Sequence, residues 1–138
     1  MGMNLPLIVP VVLIALAGAV CLLPGRLAIM RATKARRGFT LEEFVAEFGD
    51  DRHDRRVVEN VYRHYQDRGG GARFLVNPDD SLEKIYGEGR EDIDDDVRQL
   101  LDQGNIERPS PNLVQRYGKP ISSVRDVVEY LCWLRVDS

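Results

Sequence analysis

An all-α protein, with one transmembrane helix followed by a small helical bundle, is the fold class this sequence predicts. Three observations carry it. Residues 1–25 of the 138 have no charged side chain. Beyond position 40, apolar residues recur at helical spacing behind capping residues. No segment alternates apolar and polar residues as a half-buried strand would.

The first element is the anchor, placed at residues 1–30. Leu5 to Leu23 is an uncharged run, and a helix of about 20 residues spans roughly 30 Å, the thickness of a bilayer's hydrocarbon core. Pro6 and Pro10 fall in its first turns, where missing amide donors cost least. Pro24-Gly25 is a stop, past which Arg26 would snorkel to the headgroups. A cleaved signal peptide fits poorly, because the positive charges follow the apolar core instead of preceding it. A lipoprotein cysteine would follow a small residue, but Cys21 follows Val20. Pro6 occupies the Ser/Thr position of a myristoylation motif at Gly2. Arg26, Arg31, Lys34, Arg36 and Arg37 precede the first acid, Glu42. The positive-inside rule then predicts a single-pass membrane protein with its N-terminus outside and residues 26–138 in the cytoplasm. The expected lipid contact runs through residues 5–30.

A basic linker and short amphipathic helix take up residues 31–50. Thr40 and Glu43 form a capping box, Leu41, Phe44, Val45 and Phe48 make the apolar stripe, and Gly49 stops it. The helical domain is expected over 51–138. Its first helix starts near Asp50 or Asp51, carries Val57, Val58, Val61, Tyr62 and Tyr65 on one face, and ends at Gly69-Gly70-Gly71. Residues 73–80 read as a loop with Phe74, Leu75 and Val76 plugging the core. Ile93, Val97, Leu100 and Leu101 mark the next helix, stopped by Gly104-Asn105. Residues 107–120 read as a loop with at most one helical turn. The last helix opens on Ser123 and Asp126 and buries Val124, Val127, Val128 and Leu131, with Leu134 or Cys132.

Composition limits the function classes. All 22 acids and 14 of the 19 basic residues lie from position 42 onward, so that part carries −8. There is no basic face with interleaved aromatics, which argues against nucleic-acid binding. Cys21 in the span and Cys132 in the last helix make no disulfide framework.

Two stretches resemble an acyl carrier protein. Val76-Asn-Pro-Asp-Asp-Ser-Leu-Glu83, with the glycine-bearing turn Gly87–Gly89, is similar to the family's loop after its first helix. Ile121-Ser-Ser-Val-Arg-Asp-Val-Val-Glu-Tyr-Leu131 resembles its Ile-Thr-Thr-Val lead-in to the final helix. The likeness covers roughly residues 51–135, including the order of the helices. It implies a carrier-like bundle with a phosphopantetheine arm on a serine at the start of the second carrier helix. Here that stretch is Gly89-Arg-Glu-Asp-Ile-Asp-Asp-Asp-Val97, and no Ser or Thr occurs between Ser81 and Ser110. The resemblance therefore implies a carrier frame without its cofactor. Asp80-Ser81-Leu82 is the one literal Asp-Ser-Leu, but 39 residues separate Ser81 from Ile121, too many for one helix and a short loop. Ser81 as a phosphopantetheine site is the alternative, and a turn residue is the simpler reading.

Glu91, Asp92, Asp94, Asp95 and Asp96 form the densest charge cluster. Acids at a helix N-terminus complement its dipole, so the cluster is either a solvated helix start or a docking surface for a basic partner, the mode by which carriers are recognised. Asp92-x-Asp94-x-Asp96 lacks the glycine and the final glutamate of an EF-hand, so no metal is expected. His53 and His64, eleven residues apart, lie roughly 16 Å from each other along one helix, too far to share a metal, and both read as surface residues. Trp133 and Tyr130 read as core or rim of the last helix. The glycines at 69–71 lack the following Lys-Ser/Thr of a P-loop. No nucleophile–base pair is visible and no catalytic residue is assigned. The expectation is a non-enzymatic, membrane-anchored interaction or regulatory module. The alternatives are a working carrier modified on Ser81 and a helical domain only superficially similar to a carrier.

Overall fold

The computed structural model describes residues 37–137. The anchor expected at 1–30 and most of the basic linker lie outside the described residues. Among the described residues no helix is long and apolar enough to cross a membrane.

The described chain is a small all-α domain of six helices: α1 Leu41–Glu47, α2 Arg55–Gly69, α3 Leu82–Tyr86, α4 Arg90–Gly104, α5 Pro111–Tyr117 and α6 Val124–Asp137. The only bridges among the described residues are the isolated pairs Phe39–Val76 and Ser81–Ser123. Helix α2 is central and packs against α1, α3, α4 and α6. Its Val57, Val58, Val61, Tyr62 and Tyr65 are buried with Phe44 and Phe48 of α1, Val97, Leu100 and Leu101 of α4, and the apolar face of α6. Burial of such side chains stabilises by about 1.5–3 kcal/mol each, which is what holds helices this short in place. Because Phe44 and Phe48 are part of that core, α1 packs as part of the bundle.

The capping signals act where the sequence puts them. Thr40 Oγ1 accepts from the Glu43 N–H, and Glu43 Oε2 accepts from the Thr40 N–H at 2.9 Å. Asp126 Oδ2 accepts from the Ser122 and Ser123 N–H groups at 3.0 and 2.9 Å, while Ser123 Oγ accepts from the Asp126 N–H. Two helix starts differ from expectation. Helix α2 begins at Arg55 instead of near Asp50, because the Asp54 carboxylate caps the Arg56 and Val57 N–H groups. Asp50 instead holds the preceding turn through His53 and Arg52. Residues 107–120 contain a full two-turn helix, α5, capped by Ser110, opened by Pro111 and closed by Gly118 in the left-handed region.

The five-residue helix α3 is an addition within the loop preceding α4; Ser81 caps it and Gly87 ends it. Of the three expected core plugs, Val76 is fully buried, Phe74 half-buried, and Leu75 is 42% exposed. Val76 pairs with Phe39 at this point in an isolated antiparallel bridge. A Cβ on Gly69 would meet the Phe74 ring at 2.3 Å, so the end of α2 needs glycine for this approach. Both Cys132 and Leu134 are buried, together with Tyr130, so the buried face of α6 is wider than one stripe. Trp133 is half-buried and sits among Tyr117 and Tyr130.

Candidate functional site

The acidic run opens α4 behind Gly89, and its five members separate by helical angle. Glu91, Asp92, Asp94 and Asp95 are exposed, whereas Asp96 is 3% exposed. At 100° per residue, Asp96 shares the stripe of Ile93, Val97 and Leu100 that faces the core. Asp96 is thus a correction to the expected surface, because it is unavailable to a partner. Asp92 Oδ2 accepts from the Gly89 N–H at 2.8 Å and closes the helix start. Asp95 Oδ1 accepts from Arg98 at 2.9 Å in an exposed pair, worth little to stability.

Asp96 anchors a buried polar cluster between α2 and α4. Arg68 donates to both of its oxygens, Nε to Oδ2 at 3.2 Å and Nη2 to Oδ1, a bidentate geometry that fits a planar guanidinium to a carboxylate. His64 Nε2 lies 3.0 Å from Asp96 Oδ2. His64 is buried, correcting its reading as a surface residue. His64 and Arg68 are four residues apart and so project from the same side of α2. Burial alone would raise the Asp96 carboxyl, but the His64 imidazole, the Arg68 guanidinium and Glu88 beside it hold it well below the usual carboxylate range. Glu88, in the turn between α3 and α4, completes the cluster at 4% exposure. A polar cleft of about 610 Å³ lined by Asn60, Arg63, His64, Arg68, Asp96, Gln99 and neighbouring residues lies between α2 and α4. Its mixture of cations, carboxylates and amides selects no single ligand chemistry.

Ser81, the alternative attachment residue, is half-buried, and its Oγ accepts from the Lys84 N–H at 3.3 Å as the cap of α3. Its backbone neighbourhood is tied to the lead-in of α6, with Leu82 N–H donating to Ser122 O and Val124 N–H to Asp80 O. Asp80 is buried beneath it and accepts from the Asn77 N–H and the Tyr86 hydroxyl. Among the described residues, no group of three or more His, Cys, Asp or Glu is arranged to hold a metal ion.

Sequence reasoning missed Arg68 and Glu88. The i, i+4 pairing of His64 with Arg68 was a visible signal, as was the place of Asp96 on an otherwise apolar stripe. Glu88 meets Asp96 only through the turn of the chain, and nothing local to Gly-Glu-Gly announces it. Compared with protein-family models, with curated proteins and with solved structures, the chain finds no match.

Proposed function

We propose that residues 37–137 are a carrier-like helical module that works without a prosthetic group and docks a basic protein partner through Glu91, Asp92, Asp94 and Asp95. In this reading residues 1–30 hold the module at the cytoplasmic face of a bacterial inner membrane. The observation that carries it is the start of α4: four exposed carboxylates follow Gly89 and Arg90, where an acyl carrier would have its modified serine. The order of helices supports the likeness. Helices α2, α4, α5 and α6 are 15, 15, 7 and 14 residues long, separated by a long loop, a short one and a short one. Ser81, spent on capping α3, is poorly suited to carry an arm.

Exposed carboxylates steer and select a cationic partner more than they add raw affinity. Co-purification of the full-length protein from its own membrane tests the reading. The Glu91→Gln, Asp92→Asn, Asp94→Asn, Asp95→Asn variant is expected to lose about tenfold or more of its bound partner. Undiminished capture by that variant removes the acidic face as the docking surface. Intact mass after co-expression with a phosphopantetheinyl transferase separates the alternative. An added arm that disappears in Ser81→Ala would make the protein a working carrier.

A further inference from the structure

Glu88 is buried in a setting that does not accommodate its ionised form. Neither carboxylate oxygen has a hydrogen-bond donor. Arg68 Nε stands 3.8 Å from Oε1, beyond hydrogen-bond reach, and the same guanidinium is already committed to both oxygens of Asp96. From α2, Glu88 is faced by Arg68 and Tyr65; from α4, by Asp96 and Asp92. From α3 comes Tyr86, whose ring lies against Tyr65 and whose hydroxyl donates to Asp80. His64 Nε2 lies 3.0 Å from Asp96 Oδ2 on the far side, outside hydrogen-bond geometry. Two buried carboxylates would thus share one half-exposed guanidinium, an arrangement that is costly unless a proton bridges them. Protonated, Glu88 gains an O–H that can donate to the Asp96 carboxylate, and the Arg68–Asp96 pair is left balanced.

The turn holding Glu88 is short and flanked by two glycines, the first of which caps α3. Gly87 sits at φ +70° with open space where a side chain would be, and Gly89 follows on the other side. The turn is held by the Gly87 N–H donating to Glu83 O at 3.0 Å, the Glu88 N–H to Leu82 O at 3.1 Å, the Gly89 N–H to Asp92 Oδ2 at 2.8 Å and the Ile93 N–H to Gly89 O at 3.1 Å.

We propose that Glu88 and Asp96 hold one shared proton, and that losing it to solvent base as pH rises releases the Gly87–Gly89 turn, with the first turn of α4, from α2. Burial first, then the Asp96 carboxylate, pushes Glu88 up to about 8, so release falls near neutral to mildly alkaline pH. The sign follows from linkage. In the opened turn Glu88 is hydrated and ionises at the ordinary value of 4.5, but in the closed turn only at about 8. The closed form is therefore fully favoured below the lower value. Its advantage falls about tenfold per pH unit between the two and levels off above the upper one. The device stands whether or not α4 docks a partner.

Hydrogen exchange on the full-length protein in detergent micelles, corrected for intrinsic rates, tests it between pH 6 and 9. The bonded amides of Glu88, Gly89 and Ile93 are expected to lose protection about tenfold per pH unit up to about pH 8 and then flatten, while residues 97–104 of α4 stay constant. Glu88→Gln, which keeps the shape and donor of the protonated acid, is expected to abolish the slope and stay protected to pH 9. In the unmutated protein, the ¹³C signal of the Glu88 carboxyl is expected to titrate well above the other glutamates. A flat protection profile, an equal slope in Glu88→Gln, or a Glu88 carboxyl titrating in the ordinary range would each overturn the proposal.

Discussion

Asp96 and Asp95 are neighbours of one residue type with opposite energetic roles. Asp95 faces water and pairs with an exposed Arg98, whereas Asp96 is buried and takes both prongs of Arg68. Removing one partner of a buried pair strands the other, typically at about 3–5 kcal/mol. Arg68 is 45% exposed and can rehydrate, so a smaller loss follows. Asp96→Ala should cost about 2–3 kcal/mol, and Asp95→Ala or Asp94→Ala within about 0.5 kcal/mol, in urea unfolding followed by the fluorescence of Trp133. Equal losses at 95 and 96 would mean that the buried cluster contributes nothing to stability. The difference between these two acids could be read from spacing, since Ile93, Asp96, Val97 and Leu100 share one stripe. The contact to Glu88 could not, because it depends on where a glycine-flanked turn brings the chain back.

The elements divide into long helices set by periodicity and short ones set by caps. Helices α2, α4 and α6 carry enough turns for an apolar stripe to show, and the sequence locates all three. Helices α3 and α5, of five and seven residues, have too few turns for a period. Their only marks are a serine at the start and a glycine at the end: Ser81 to Gly87 and Ser110-Pro111 to Gly118. The start of α2 is ambiguous in sequence for a related reason, since Asp50, Asp51 and Asp54 are all competent caps and the structure uses Asp54. Caps with this much responsibility should be measurable. Burial works against an ionised Asp126, but the Ser122 and Ser123 N–H groups and hydroxyls bonding to it hold its carboxyl below the ordinary range. Asp126→Ala should cost about 1–2 kcal/mol at pH 7. A lowered carboxyl contributes stability above its unfolded value, 3.8, and loses it as pH falls through the folded one. The urea-midpoint gap between Asp126→Ala and the unmodified protein should therefore shrink below pH 3.8. A gap that widened in acid would contradict the cap's ionised state.

Over the whole molecule, charge is segregated along the chain: five basic residues from Arg26 to Arg37, then a stretch from position 42 with a net charge of −8. If the uncharged run before Arg26 spans a bilayer, those five residues fix its direction, since orientation follows the lysines and arginines flanking a span. Arg37, the one member among the described residues, makes an exposed pair with Glu43 at 3.8 Å and lies over the Phe39 ring at 5.3 Å, surface contacts of modest worth. Its carbonyl accepts from Asn77 Nδ2 at 2.6 Å, and that bond survives any change of side chain. Replacing Arg26, Arg31, Lys34, Arg36 and Arg37 by Gln should thus leave the fold intact while weakening the orientation signal. In spheroplasts, external protease is expected to spare the domain of the unmodified protein and to digest it once the membrane is permeabilised. In the five-Gln variant a substantial fraction should become accessible from outside. A domain accessible in both proteins would place it on the other face, where a module recruiting a cytoplasmic partner could not work.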